Sequence, residues 1–279
     1  MSESLLQQEG AVRLIAFFGT LLAMVLWEVV APRRRLSQPR GRRWPSNLGI
    51  VALNTILLRL IFPGAALGGA WLAHRQGVGL FNMFDLPPVV AVIAAVVVLD
   101  FTIYLQHRLF HAVPILWRLH RMHHADLDID VTTGARFHPV EILLSLLIKL
   151  AVVIALGAPP LAVLLFEVLL NATAMFNHGN VRLAAGLDRW LRLLVVTPDM
   201  HRVHHSVVLA ETNSNFGFNL PWWDGLLGSY QAQPAAGHEA MRIGLEVFRE
   251  PSELRLDRML LQPFRETGES RTAAPESTP

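Results

Sequence analysis

The sequence predicts an all-α, polytopic membrane protein, a helical bundle of about 4–5 transmembrane segments with a cytoplasmic helical cap carrying clustered histidines. Three observations point there. Hydrophobic residues make up 52% of 279 positions against 16% charged residues, and mean hydropathy is +0.39, too apolar for an ordinary soluble domain. The apolar residues collect into runs long enough to span a bilayer. The histidines also collect: ten of the twelve lie between His107 and His205, leaving His74 and His238 as expected surface residues.

Composition excludes several functions. A formal charge of +2 is too small for a nucleic-acid partner, and the high pI comes from clustered arginines. The chain has no cysteine, which removes thiolate ligands, iron-sulfur clusters and disulfides. Any bound metal must take nitrogen or oxygen ligands.

The first apolar run, Ala11 to Val30, is interrupted by Glu28 and followed by six arginines between Arg33 and Arg43. It lacks a small-residue cleavage site and carries its positive charge on the C-terminal side, so it reads as a retained anchor rather than a signal peptide. An arginine excess marks a cytoplasmic loop, so the N-terminus is expected outside. Leu48 to Ala73 is a second run whose Arg59, Pro63 and glycines predict a kinked or re-entrant helix. A loop from His74 to Asp85 follows. Pro87 and Pro88 open the third run, which reaches His107 on the inner side. Val140 to Phe176 is too long for one crossing, and Gly157, Ala158, Pro159 and Pro160 break it into a helical hairpin. Residues 183–196 are amphipathic and expected along the interface. ETNSNFGFNLPWWDGLLGSY reads as a loop at the membrane surface. The stretch from Arg265 to Pro279 is expected to be disordered.

His107 and His111 are four apart, while His120, His123 and His124 are spaced i, i+3, i+4. His201, His204 and His205 repeat that spacing. On helical backbone each group projects from one face, the arrangement a multi-histidine transition-metal site requires. At this histidine frequency HxxHH arises by chance about 0.02 times per chain, so two copies argue against coincidence. Eight or nine histidines exceed the need of one ion, and two ions fit better. Neither HExxH nor ExxH occurs, which removes the commonest zinc-protease signature and argues against a carboxylate-bridged bundle. Imidazole suits iron, copper, nickel and zinc alike.

HRLFH, HRMHH and HRVHH, in this order, resemble the three histidine boxes of the fatty acid hydroxylase and sterol desaturase superfamily, the membrane-bound histidine-box di-iron oxygenases. FHPVE at 137–141, NHGN at 177–180 and the WDGLLGSY segment also resemble that family, and the likeness covers residues 95 to 230. The resemblance implies an oxygenase that uses dioxygen and two electrons to hydroxylate or desaturate a fatty acyl chain or sterol-like lipid. It implies two iron ions, with zinc as an occupant after purification. Carried over residue by residue, the implied ligands are His107, His111, His120, His123, His124, His201, His204 and His205, with His178 as a ninth. Some fatty acid hydroxylases carry a further histidine four residues before the one resembling His178; here Ala174 stands there.

Two further residues are candidate catalytic groups. Asp100 shares a helical face with Tyr104, His107 and His111 and is expected either to orient an imidazole or to face the bundle interior. His138 is expected either to reach the metals or to orient a loop through Glu141. Lys149 and Asn171 are polar within apolar runs, and Asp199 and Glu211 flank the last triplet as partners or surface charges. With no cysteine and no Gly-rich dinucleotide fingerprint, electrons must come from a separate ferredoxin, b-type cytochrome or reductase. The expected partners are thus a lipid substrate, the bilayer and that donor, in a bacterial inner membrane with the metal site on the cytoplasmic side. The alternatives are a histidine-rich metal transporter or metal-binding protein, a metal-dependent lipid hydrolase, and an inactive relative. The expected division is 1–95 for the N-terminal helices and basic loop, 96–232 for the histidine-box domain with its hairpin, and 233–279 for a C-terminal cytoplasmic segment.

Overall fold

The computed structural model describes residues 6–84 and 86–267. Asp85 and the tail from residue 268, most of the stretch expected to be disordered, lie outside the described residues. Among those described the secondary structure is helical, with two isolated antiparallel bridges, Pro32 to Val181 and Ser206 to Ile243. Five segments are long and apolar enough to cross a membrane: Glu9–Val30, Arg40–Met83, Pro88–Ala112, Pro139–Leu156 and Pro160–Asn177.

Helix α1, Glu9–Val30, buries only Met24 and Glu28 and turns Leu14, Ile15, Phe18, Leu22 and Leu26 outward. Helix α2, Arg40–Ile61, goes further and reverses the usual pattern. It buries Arg43, Ser46, Asn47, Ile50 and Asn54, a stripe at helical spacing, while Leu48, Ile56, Leu60 and Ile61 face out. In water such a helix would expose its apolar face at a cost; in hydrocarbon the apolar face meets lipid and the polar stripe finds partners inside.

The run expected as one kinked helix is two, because Pro63 offers no backbone N–H to continue α2. Helix α3, Ala65–Gln76, starts after the break. Helix α4, Pro88–Ala112, carries Pro88 in its first turn, where the missing N–H costs nothing, and delivers His107 and His111 in its last turns. Helix α5, Pro114–His124, doubles back at Val113.

Helices α6, Pro139–Leu156, and α7, Pro160–Asn177, form the predicted hairpin. Gly157 closes α6 at φ +62°, and a Cβ there would lie 2.5 Å from Asn82 Nδ2 and 2.7 Å from the Val78 carbonyl. Only glycine meets both demands. Half of the α7 span is buried inside the molecule, against 6% for α1, and α7 packs on α1, α3 and α4 at the centre of the bundle. Ala66, Ala70, Ala95, Ala158 and Ala162 line the core beside Leu99 and Phe166, and their small side chains let the backbones approach closely.

Beyond α7 the helices are short. Helix α8, Ala185–Leu191, lies within the stretch read as amphipathic, and Leu187, Trp190, Leu193 and Leu194 are exposed along it. Helix α9, Pro198–His204, has Thr197 as its cap, the hydroxyl accepting from Met200 N at 3.3 Å. The chain then returns to cover α5: Arg121 Nη2 donates to the Gln262 carbonyl at 2.6 Å and Arg118 Nε to that of Pro263 at 2.7 Å.

Candidate metal centre

Nine histidines from four places in the chain converge at the ends of α4 and α7. Their ligand atoms fall into two groups, in each of which all lie within 4.8 Å of one another: His107, His111, His120, His124 and His204; and His123, His178, His201 and His205. All nine are buried. The HxxHH spacing explains the division. Residues at i and i+4 share a face while i+3 and i+4 are about 100° apart around the axis, so His120 and His124 join the first group and His123 the second. Helix α9 does the reverse, His201 and His205 joining the second and His204 the first. Each triplet therefore serves both groups.

Backbone carbonyls set the imidazole orientations. The Nδ1–H of His107 donates to Phe216 at 2.8 Å, of His123 to Arg136 at 3.2 Å, of His178 to Ala174 at 2.7 Å and of His204 to Ser214 at 2.7 Å. His120 Nδ1–H donates to the Glu141 carboxylate at 2.6 Å. A carbonyl can only accept, so in the neutral ring Nε2 carries the free lone pair. These lone pairs face one another: Nε2 atoms are 3.1 Å apart between His107 and His120, 3.0 Å between His107 and His204, and 3.1 Å between His123 and His178.

Such lone pairs repel unless a proton or a cation lies between them. Burial disfavours the proton. It holds His123, His124, His201, His204 and His205 well below the ordinary imidazole value and His178 at about 4. Two nitrogens bound at right angles to one ion at ~2.1 Å would be about 3.0 Å apart, which is the spacing found. In His124 and His205 neither ring nitrogen has a hydrogen-bond partner, and a buried polar group left so costs about 1–3 kcal/mol. The residues thus fit a metal, and an all-imidazole donor set favours a first-row transition ion over calcium or magnesium.

The two candidate catalytic residues lie elsewhere. Asp100 makes no hydrogen bond to a histidine; its Oδ2 accepts from Trp223 Nε1 at 2.8 Å and Leu220 N at 3.2 Å. It is seven residues from His107, roughly 10 Å along the helix axis, too far to orient that ring. His138 belongs to neither group. Pro139 starts α6, so His138 falls at the cap and accepts from Val140 N at 3.2 Å. Neither Asp199 nor Glu211 hydrogen-bonds to a clustered histidine. Asp199 pairs with Arg33 and Arg202, and Glu211 accepts from Ala235 N. Lys149 pairs with Glu167, which also takes Arg13 at 2.5 Å, and Asn171 donates to the Glu167 carbonyl. His238, expected on the surface, is buried with Nε2 3.7 Å from Asp199, whereas His74 is exposed.

Sequence reasoning missed the residues that brace the histidines. Glu141 is one, and the signal for it was an acid in the first turn of a membrane-length helix. Glu141→Ala should weaken metal retention about 10- to 100-fold, measured by chelator competition; unchanged affinity would show that the His120 ring needs no such partner. The acidic loop after the second box is another. Arg43 Nε and Nη2 grip Asp126 at 2.7 and 2.8 Å, and Nη1 reaches Asp130 at 2.5 Å, all three side chains being buried. Although burial pushes the Asp126 carboxyl up, Arg43 and Arg136 hold it well below the usual range. Arg33, Arg40 and Arg43 form ion pairs inside the molecule, and Arg34 donates to the Met241 carbonyl at 2.9 Å. Much of the arginine run read as a cytoplasmic marker thus has structural partners. Asp224, which burial raises to about 6, accepts from Phe216 N and Gly217 N at 2.8 Å each and so positions the carbonyl that orients His107.

A cavity of about 260 Å³ leads to the first group. Phe17, Leu58, Ile103, Phe110 and Leu170 are among its walls, and His107, His120 and Glu141 line it too. Gly134 is needed where it lines this space, since a Cβ there would lie 2.5 Å from the Ala174 carbonyl and 3.2 Å from His178 Nδ1.

Residues 92–229 match the family model described as fatty acid hydroxylase. The chain carries a fatty acid hydroxylase domain. Over 148 residues, 53% of this chain, it is 36% identical to the ornithine lipid hydroxylase OlsE of Rhizobium tropici, covering 44% of that protein. It is 27% identical over 139 residues, 48% of this chain, to the alkylglycerol monooxygenase of Homo sapiens, covering 29% of it. The Xenopus tropicalis alkylglycerol monooxygenase gives 27% over 136 residues, 47% of this chain and 28% of that protein. The chain therefore spans less than half the length of each of these relatives. No solved structure matches it. All nine clustered histidines lie within the fatty acid hydroxylase domain, as do Glu141 and the acidic loop.

Proposed function

We propose that this integral membrane protein is a di-iron oxygenase that hydroxylates or desaturates a lipid, using dioxygen and electrons supplied by a separate protein. The observation that carries the reading is the pair of adjoining all-imidazole groups beside an apolar cavity. The relatives' names, a lipid hydroxylase and an alkylglycerol monooxygenase, support the same chemistry. The first group would hold one iron through His107, His111, His120, His124 and His204, and the second another through His123, His178, His201 and His205. Iron at such a site supplies the power to activate dioxygen and break a C–H bond.

The chain's own part is to hold, orient and enclose. Backbone carbonyls and Glu141 keep the Nε2 lone pairs turned inward, and burial keeps the imidazoles neutral. Phe17, Leu58, Ile103 and Phe110 shape an apolar path for a lipid chain and keep water from the reacting carbon. Thr55 of α2 and Asn171 of α7 line the cavity and are exposed, so a lipid would enter sideways between helices. We take the histidine end to face the cytoplasm of a bacterial inner membrane, where a ferredoxin, b-type cytochrome or reductase would deliver electrons.

Protein purified under iron-replete conditions should hold two irons per chain and oxidise membrane lipid extract only with dioxygen and a reductant, as read by metal analysis and mass spectrometry. Full activity with one metal per chain, or conversion without dioxygen, would sink the reading.

A further inference from the structure

Polar side chains interrupt the apolar walls of the cavity, and three of them, Asn54, Gln106 and Glu141, keep a buried oxygen that the fold does not use. Asn54 of α2 is 7% exposed and lines the cavity. Its Nδ2 donates to the Phe137 carbonyl at 2.9 Å. Because a carbonyl only accepts, that bond settles which way the amide lies and makes the remaining atom an oxygen. Asn54 Oδ1 is buried without a partner. Phe137 stacks on the His123 ring, centroids 4.5 Å apart and planes 8° from parallel, which places Asn54 at the histidine end of the cavity.

Gln106 of α4, next to His107 in sequence, repeats the arrangement. Its Nε2 lies 3.0 Å from Ser145 Oγ, Oε1 is buried without a partner, and both residues line the same cavity. The Ser145 hydroxyl can donate or accept, so Gln106 can turn its amide over, and Asn54 therefore carries the assignment. An unpaired amide oxygen in a lipid tunnel penalises a plain hydrocarbon by the cost of leaving it dry. A substrate that brings a donor to it removes that cost.

We propose that Asn54, assisted by Gln106, selects lipids bearing a hydrogen-bond donor, an amide N–H or a hydroxyl, close to the carbon that is oxidised. The inference rests on the lipid-oxygenase reading above and narrows its substrate class to lipids reacting near a polar group rather than far along an unfunctionalised chain.

Binding to the full-length protein in nanodiscs tests it, with two pairs of probes that differ only in the donor: N-methylhexadecanamide against N,N-dimethylhexadecanamide, and hexadecanol against hexadecyl methyl ether. Wild type should bind the donor-bearing member of at least one pair about tenfold more tightly, and which pair responds tells amide from hydroxyl. Asn54→Leu should shrink that preference to about twofold or less through weaker binding of the donor-bearing lipid, with metal content unchanged. Thr102→Val, outside the cavity and with its hydroxyl bonded to the Val98 carbonyl, should keep the preference. Equal affinities within both pairs in wild type would overturn the proposal even if Asn54→Leu failed to fold, and so would an undiminished preference in a folded Asn54→Leu. A protein that shows the preference yet consumes no dioxygen supports this inference while defeating the oxygenase reading.

Discussion

His204→Ala is expected to abolish lipid oxidation and to strip metal from the first group, while His74→Ala leaves both intact. His204 comes from the far end of the domain to meet His107, His111, His120 and His124, while its neighbours His201 and His205 belong to the second group. Loss of a ligand opens a coordination position, so the fall should exceed the ~100-fold upper range of changes in surrounding residues. The same holds for His123, His124 and His205. His74 lies exposed on α3, outside both groups. Metal content, turnover and membrane abundance must be measured together, because metal loss also removes folding free energy. An abundant, metal-depleted His204→Ala protein with full activity would end the oxygenase reading.

The second large effect is on stability. Arg43→Met should cost about 3–5 kcal/mol, because Asp126 and Asp130 would remain buried with their main counter-charge gone. Arg43→Lys should recover part of this, since an ammonium keeps the charge but not the forked contact. The exposed Arg35→Met is the control. Thermal unfolding in detergent, followed by tryptophan fluorescence, reads the difference. A midpoint for Arg43→Met no lower than that of Arg35→Met would mean that Arg136, 3.7 Å from Asp126, suffices alone.

Hydropathy made the fold class legible and histidine spacing eight of the nine clustered histidines, because both depend on local periodicity; His178, alone in its segment, came only with the family resemblance. The hairpin turn at Gly157 to Pro160 was legible because glycine and proline break an apolar run locally. What remained hidden depends on partners distant in sequence. Asp100 shares a helical face with His107, yet distance along the axis separates them and Trp223, 123 positions away, takes the carboxylate. The orienting acceptors for His107, His123, His178 and His204 are carbonyls, which no side-chain pattern reveals. The Arg33 to Arg43 run carries the same residues whether it marks a membrane face or grips a buried acidic loop. Only the fold distinguishes these.

The reversed polarity of α2 also bears on how the protein is made. Arg43 leaves the ribosome 83 positions ahead of Asp126, and in the interval α2 presents Arg43, Ser46 and Asn47 with no acidic loop to receive them. Hydrocarbon will not accept that stripe unpaired. During biogenesis α2 must therefore wait, at the interface or sheltered by the insertion machinery, until the second histidine box and the loop behind it have been synthesised. Settling of this early membrane segment thus waits on the loop behind His124, when the metal-binding core still lacks His178, His201, His204 and His205.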